Sequence, residues 1–172
     1  VMQWIESFCD KFSKYLGIVI SFLLIIMMIN VAFDALNRYL MNSNSVALQE
    51  MEWHLFSVII LLGLSYTLNQ EGHVRVDVLY TNFSAKKKAI INMIGVITFV
   101  LPLSLLVAFG SLGFVAEAYN FMEQSGDPGG LHYRFIIKGL IPTAFFILIF
   151  MSIGYFARNY NLLKRLNSSS DS

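Results

Sequence analysis

Four stretches of this 172-residue chain run without a charged side chain for about the length of a membrane crossing. They cover residues 15–33, 55–70, 89–116 and 139–157. The hydrocarbon core of a bilayer requires about 20 residues of helix. The apolar residues are continuous and do not alternate with polar ones, which argues against barrel strands. Because backbone groups in lipid must pair within their own segment, the stretches are predicted to be helices.

The fold class predicted from these stretches is an all-α membrane protein with four tilted transmembrane helices. Only 13% of the residues are charged, against about 25% in soluble domains, which agrees with that class. Residues 1–166 are expected to form one four-helix membrane domain, and the polar tail 167–172 to be disordered. The predicted spans are, in chain order, 15–36, 47–70, 89–118 and 134–158.

The distribution of lysine and arginine predicts the orientation of the spans. Nine of these residues lie in the N-terminal segment, the middle loop and the tail, and three lie in or next to the other two loops. The positive-inside rule then places both termini on the cytoplasmic side, and the loops near 37–46 and 117–133 outside. The segment before the first span, with Trp4 and Phe8 on one face, is either a short interfacial helix or a continuation of that span.

The third stretch is longer than one crossing requires. Its 28 residues would reach about 42 Å at about 1.5 Å per residue, so we expect tilt, a kink at Pro102, or projection past the membrane. Pro142 is expected to kink the fourth helix. Small residues from Ser104 and Ala108 to Gly110 and Gly113 indicate close helix packing.

Charged and aromatic residues gather where the first hairpin meets the outer surface. Asp34 and Arg38 are four residues apart on one helix face and are expected to pair. The second span opens with acidic and aromatic side chains, which predict either a docking surface or ordinary helix-end polarity. The candidate outer-face contacts are Arg38, Tyr39, Glu50, Glu52 and Trp53.

Two further polar segments lie at the predicted membrane surfaces. At the inner end of the second span, Gly72, His73, Arg75 and Asp77 are candidates for a structural network, since one histidine and one aspartate are too few for a metal site. The outer loop is rich in turn residues and lacks a phosphate-loop pattern. Its residues are Asp127, Pro128, Gly129 and Gly130. Arg134 and Lys138, which follow it, are expected to anchor the helix end at lipid headgroups.

The sequence lacks the residues that catalysis or transport by this chain alone would need. The one cysteine, Cys9, cannot form an internal disulfide or a paired metal site. Neither a nucleophile–base pair nor a charged side chain in the middle of a span is present, so a non-enzymatic subunit is favoured over a carrier. A net charge of +1 gives no reason to expect nucleic acid.

Several short motifs, taken in order, resemble the DctQ-like small membrane subunit of tripartite ATP-independent periplasmic (TRAP) transporters. In that family Arg-Tyr ends the first span, a Glu opens the second, and a Gly-x-His-x-x-Asp-like run ends it. One departure is Gln49-Glu50, where the family often has two acids, so only Glu50 is carried over. The residues that carry the resemblance are Asn37-Arg38-Tyr39, Leu48-Gln49-Glu50, Gly63 and Gly72-His73-Val74-Arg75-Val76-Asp77.

The resemblance implies a scaffold subunit of a sodium-driven, binding-protein-dependent importer of organic acids in the bacterial inner membrane. The expected partners are a large multi-span membrane subunit, a periplasmic binding protein and membrane lipids. Sodium is expected to bind the large subunit, so this chain would need no cofactor. One alternative is a stand-alone homo-oligomeric channel or carrier. A haem- or quinone-linked membrane anchor is a further alternative, which the positions of the histidines make less favoured.

Overall fold

A computed structural model of the chain describes residues 2–70 and 83–168, and within those two ranges it contains helices and no strand. The α-helices are α1 at Met2–Met41, α2 at Val46–Asn69, α3 at Ala85–Gly95, α4 at Leu101–Asn120 and α5 at Arg134–Ser168. A π-helical turn at Val96–Val100 joins α3 and α4 into one continuous helical segment, which we call the third span.

The four predicted spans are confirmed as helices long and apolar enough to cross a membrane. They are α1, α2, the third span and α5, so each uncharged stretch lies in its own helix. The helices at the two ends of the chain are longer than predicted. α1 begins at Met2, which makes the N-terminal segment a continuation of the first span, and α5 runs to Ser168, inside the predicted tail. Phe8 packs edge-on against Phe150 with ring centroids 5.8 Å apart, which holds the first turns of α1 on α5.

Short polar residues mark where helices begin, and left-handed residues mark where they end. The hydroxyl of Ser45 accepts a hydrogen bond from the Leu48 amide at 3.4 Å and caps α2. At the end of α4, Met122 has φ of 45°, and the Glu123 amide donates to the Ala118 carbonyl at 3.0 Å. This is the Schellman arrangement, which satisfies carbonyls that the last turn leaves free.

The distortion of the third span lies just before Pro102. The Leu101 amide donates to the Val96 carbonyl, five residues earlier, as in a π-helix. A proline inside a helix supplies no amide hydrogen and crowds the carbonyl four residues before it. The wider turn at Val96–Val100 is therefore the local response to Pro102. Pro142 lies inside α5, where it is buried and the helix continues past it.

α5 is the central helix of the molecule. It packs against α1, α2 and the third span, α1 also packs against α2, and the third span has α5 as its principal neighbour. The helices therefore form an open arrangement and not a closed four-helix bundle. The buried apolar core joins all four spans and includes Cys9, Leu68, Val96, Leu148, Met151 and Tyr155.

Small residues allow close approach at some of the expected positions. Ser104 and Ala108 are buried, as the packing prediction required, but Gly110 and Gly113 face open space, so the prediction was wrong for these two glycines. The closest approach involves Gly154 of α5, where an added Cβ would lie 2.8 Å from the Cβ of Cys9. Side-chain volume is thus minimal where α1 crosses α5.

The two ends of the molecule carry different connections. The hairpin end holds the connections 42–45 and 121–133, and the terminal end holds the start of α1 and the ends of α2 and α5. Polar side chains concentrate at both ends, where they connect helices that are far apart in sequence.

Candidate functional site

The carboxylate of Glu50 is the centre of a polar cluster at the hairpin end. Its side chain lies in the second turn of α2 and is only 8% exposed. Oε1 accepts hydrogen bonds from the Ser125 hydroxyl and from the Arg134 guanidinium, the latter at 3.0 Å. Oε2 accepts from the Leu131 amide at 2.6 Å. Glu50, Ser125, Leu131 and Arg134, here called the Glu50 cluster, join α2, the 121–133 loop and the start of α5.

The 121–133 loop folds so that its backbone can reach this carboxylate. The Gly130 amide donates to the Asp127 carbonyl at 3.0 Å, which closes the turn predicted at 127–130. Gly129 has φ of 81°, a conformation that side chains rarely adopt. A Cβ on Gly130 would lie 2.8 Å from Glu50 Oε2. A residue without a side chain is therefore required at position 130 for the carboxylate to approach.

A second ion pair holds the same loop to α5. The Lys138 ammonium pairs with the Glu123 carboxylate, and its Nζ lies 3.9 Å from the centroid of the Phe114 ring. Such a contact adds a cation–π attraction to the ion pair. Arg134 and Lys138 were expected to anchor the helix at lipid headgroups. In the structure each has an acidic partner within the chain, so both cations fix the loop, and the headgroup contact stays a prediction.

The predicted pair of Asp34 and Arg38 is confirmed on α1. Arg38 NH2 lies 2.9 Å from Asp34 Oδ2, although the contact lacks hydrogen-bond geometry. Asp34 is fully buried, and Oδ1 finds no hydrogen-bond partner among the residues that the structure describes. One turn earlier, Asn30 Nδ2 donates to the Leu48 carbonyl at 3.0 Å, which fixes α1 against α2. The ion pair therefore lies beside a firmly held helix contact.

The five candidate outer-face contacts separate into exposed and inward-facing side chains. Tyr39 is 87% exposed and Trp53 71% exposed, and half of the Arg38 side chain is exposed. Glu50 is turned inward, and Oε1 of Glu52 is buried without a hydrogen-bond partner in the described part of the chain. Glu50 thus organises the chain's own hairpin end, while Arg38, Tyr39 and Trp53 offer surface. A direct contact of any of the five with a partner stays a prediction.

The network predicted at Gly72, His73, Arg75 and Asp77 lies outside the described residues. Neighbouring residues do connect helices at the terminal end. Polar bonds there join α2 to α1 and α5, the third span to α5, and α5 to α1. The bonds are Asn69 Nδ2 to Asp10 Oδ1 at 3.0 Å, Arg158 NH1 to the Asn69 carbonyl at 3.3 Å, Asn92 Nδ2 to Asn159 Oδ1 at 3.1 Å, and Asn161 Nδ2 to Glu6 Oε2 at 3.0 Å.

Sequence reasoning missed Ser125 as a partner of Glu50 and missed the asparagines at the terminal end. A usable signal did exist for the asparagines. Asn69, Asn92 and Asn159 each lie close to the end of an apolar run, where a side chain with both donors and acceptors can hold a neighbouring helix. That these asparagines together connect helices depends on tertiary contacts, which no local sequence pattern shows.

The arrangement provides mechanical connections between helices. Within residues 2–70 and 83–168, no three His, Cys, Asp or Glu side chains are close enough to hold a metal ion. The ion pairs and the inter-helix hydrogen bonds described above serve to position helices and the 121–133 loop. Such a site is suited to holding a fixed surface in place.

Comparison with known protein families identifies a relationship over most of the chain. A family model described as Tripartite ATP-independent periplasmic transporters, DctQ component, matches residues 26–162, which include the C-terminal part of α1, all of α2 and the Glu50 cluster. No curated protein sequence and no solved structure matches the chain. The family model covers well over half of the chain. The protein therefore belongs to the DctQ family, whose members are inner-membrane components of TRAP transporters and not enzymes.

Proposed function

We propose that this chain is the scaffold subunit of a sodium-driven TRAP importer of organic acids. In this role it supports the large transport subunit and contributes to docking of the periplasmic binding protein. Membership of the DctQ family supports a tripartite system with these two partners. The proposals of sodium coupling and organic-acid substrates rest on the family resemblance of the motifs. Sodium would bind the large subunit, and this chain would carry no cofactor.

The observation that carries the scaffold role is the open arrangement of helices with long uncharged runs. The runs between Lys14 and Asp34, between Lys88 and Glu117, and between Lys138 and Arg158 contain no charged residue. A path for ions or organic acids would need polar groups at membrane depth. The helices instead present broad apolar flanks on α1 and the third span. Exposed members of those flanks include Ile18, Phe22, Phe99, Leu103 and Leu106.

The hairpin end is the proposed periplasmic face. The charge distribution of the sequence supports this orientation. The Glu50 cluster and the pair of Lys138 with Glu123 hold the 121–133 loop at that end. Exposed side chains such as Tyr39 and Trp53 lie on α1 and α2 at the same end. A rigid surface of this kind reduces the entropy that docking of a binding protein would cost.

Reconstitution with omitted components tests the proposal. This chain, the large membrane subunit and the binding protein are purified and placed in liposomes with a sodium gradient and a labelled organic acid. We expect uptake only with all three proteins present, and co-purification of this chain with the large subunit. The collapse of the sodium gradient should abolish uptake.

The liposomes that contain this chain alone are the decisive control. Uptake or ion flux in those liposomes would overturn the scaffold role and favour a homo-oligomeric channel or carrier. Full uptake by the large subunit and the binding protein without this chain would overturn it equally. Uptake that persists without sodium would contradict only the proposed coupling ion.

A further inference from the structure

A cleft between α2 and α5 runs from the hairpin end toward the middle of the membrane. Its upper part has a volume of about 200 Å³ and is lined by Trp53, His54, Ser57, Arg134, Ile137 and Lys138. Its lower part, of about 420 Å³, shares Ser57, Ile137 and Lys138 with the upper part. The side chains added there are Phe56, Ile60, Leu61 and Ile141. The lining thus changes from polar to apolar with depth.

The depth of this change follows from the helix positions. Arg134 is the first residue of α5, and Ile141 lies seven residues deeper, which is about 10 Å at about 1.5 Å per residue. On α2, Leu61 lies a similar distance below Trp53. A glycerophospholipid has the same order of polarity, with a charged headgroup at the surface and acyl chains below it. The cleft therefore matches one lipid of the leaflet at the hairpin end.

The polar rim provides donors for a phosphate and balances its own charge. The Arg134 side chain is 37% exposed and uses one amino group on Glu50, so further N–H donors of its guanidinium remain. Lys138 lies one turn deeper and pairs with Glu123. The positive charges of these two side chains are therefore balanced by the carboxylates of Glu50 and Glu123. A headgroup that itself carries one positive and one negative charge fits such a rim better than an anionic headgroup does.

We propose that this cleft binds one zwitterionic phospholipid. Its phosphate would lie at Arg134 and Lys138, and one acyl chain would follow Ile60 and Ile141 into the lower part of the cleft. The exposed ring of Trp53 would contact the ammonium group. This site goes beyond the proposed transport role and does not depend on it.

Native mass spectrometry of the full chain, stripped of lipid in detergent, tests the proposal. Phosphatidylethanolamine is added back, and diacylglycerol with the same acyl chains serves as the comparison without a phosphate. We expect one retained phosphatidylethanolamine per chain and about tenfold weaker retention of diacylglycerol, because hydrogen bonds to charged groups are lost. Phosphatidylglycerol is expected to bind more weakly than phosphatidylethanolamine.

Two variants locate the binding. Ile60→Trp places a large ring in the lower cleft and should abolish retention of phosphatidylethanolamine. Leu106→Trp is the matched control, since Leu106 is an exposed residue of the third span that does not line the cleft. This control should retain the lipid as the unmodified chain does. The diacylglycerol comparison uses the unmodified chain, so it decides the matter even if Ile60→Trp does not fold.

Four outcomes would overturn the proposal. The first is retention of diacylglycerol equal to that of phosphatidylethanolamine, and the second is unchanged retention of phosphatidylethanolamine by a folded Ile60→Trp chain. The third is a loss of retention in Leu106→Trp equal to that in Ile60→Trp, and the fourth is tighter binding of phosphatidylglycerol than of phosphatidylethanolamine. The complex with the large subunit adds one more test. Loss of the lipid on assembly would assign the cleft to a helix of that subunit instead.

Discussion

The guanidinium of Arg134 lies 3.0 Å from Oε1 of Glu50, although 84 positions separate the two residues in the chain. Arg134 begins α5 and Glu50 lies near the start of α2. Both helices run into the membrane from this point. The pair therefore joins the two helices at this end, and it also fixes the loop that precedes Arg134.

Replacement of Glu50 by Gln should destabilise the protein. The amide keeps the size of the side chain, but it removes the charge that accepts from Ser125, Leu131 and Arg134. We expect a loss of about 1–3 kcal/mol in the free energy of unfolding. The ion pair itself contributes a reduced share, because Arg134 is partly exposed to solvent. The melting temperature of the purified chain in detergent measures the effect.

Glu117→Gln is the matched control for Glu50→Gln. Glu117 is exposed near the end of α4 and makes no ion pair with any residue that the structure describes. Its replacement should change the free energy of unfolding by less than about 0.5 kcal/mol. If the two variants had the same melting temperature, the Glu50 cluster would not have the role assigned to it.

Replacement of Gly154 by Ala should separate α1 from α5 at the terminal end. The new Cβ would lie 2.8 Å from the Cβ of Cys9, and neither atom can rotate away. Overpacking of this kind costs about 1–3 kcal/mol. The thiol of Cys9, which is buried in the native chain, should then react faster with a maleimide. Gly110→Ala is the control, because an added Cβ there meets open space. Equal reaction rates in the two variants would contradict the assigned contact.

Replacement of Tyr39 by Ala should weaken docking of the binding protein while complex assembly is kept. Tyr39 is 87% exposed at the hairpin end of α1, and truncation of an aromatic anchor at an interface commonly costs about 2 kcal/mol or more. Uptake in the reconstituted system would then need more binding protein for its half-maximal rate. Tyr15→Ala is the control on the same helix, at 64% exposure and nearer the terminal end. If both variants needed a comparably higher concentration of binding protein for the half-maximal rate, a position at the hairpin end would be irrelevant to docking.

The four spans could be predicted because a membrane imposes a rule on every residue it surrounds. An uncharged run such as 89–116 satisfies that rule locally, without reference to the rest of the chain. The pair of Asp34 and Arg38 is local in the same sense, since both lie on one face of α1.

The role of Glu50 could not be predicted in the same way. Its charge and its position near the start of α2 indicated an outward-facing contact, but its partners lie 75 to 84 positions away. The choice among those partners depends on how α2 and α5 pack, and no local pattern contains that information. The bond between Asn69 and Asp10 was missed for the same reason, since 59 positions separate these residues.

The π-helical turn at Val96–Val100 also determines which side chains the second half of the third span presents to α5. One additional residue in a turn rotates everything after it by about 100° around the helix axis. Ala89 and Val96 are buried before the turn, and Ser104, Ala108 and Ala118 are buried after it. A regular helix would bring the bulky Leu103 and Val107 to that face in place of Ser104 and Ala108. The extra residue of this turn is therefore what keeps a small-residue contact along α4, and deletion of one residue from 96–100 would make the helix regular while leaving Ser104 and Ala108 on the same face.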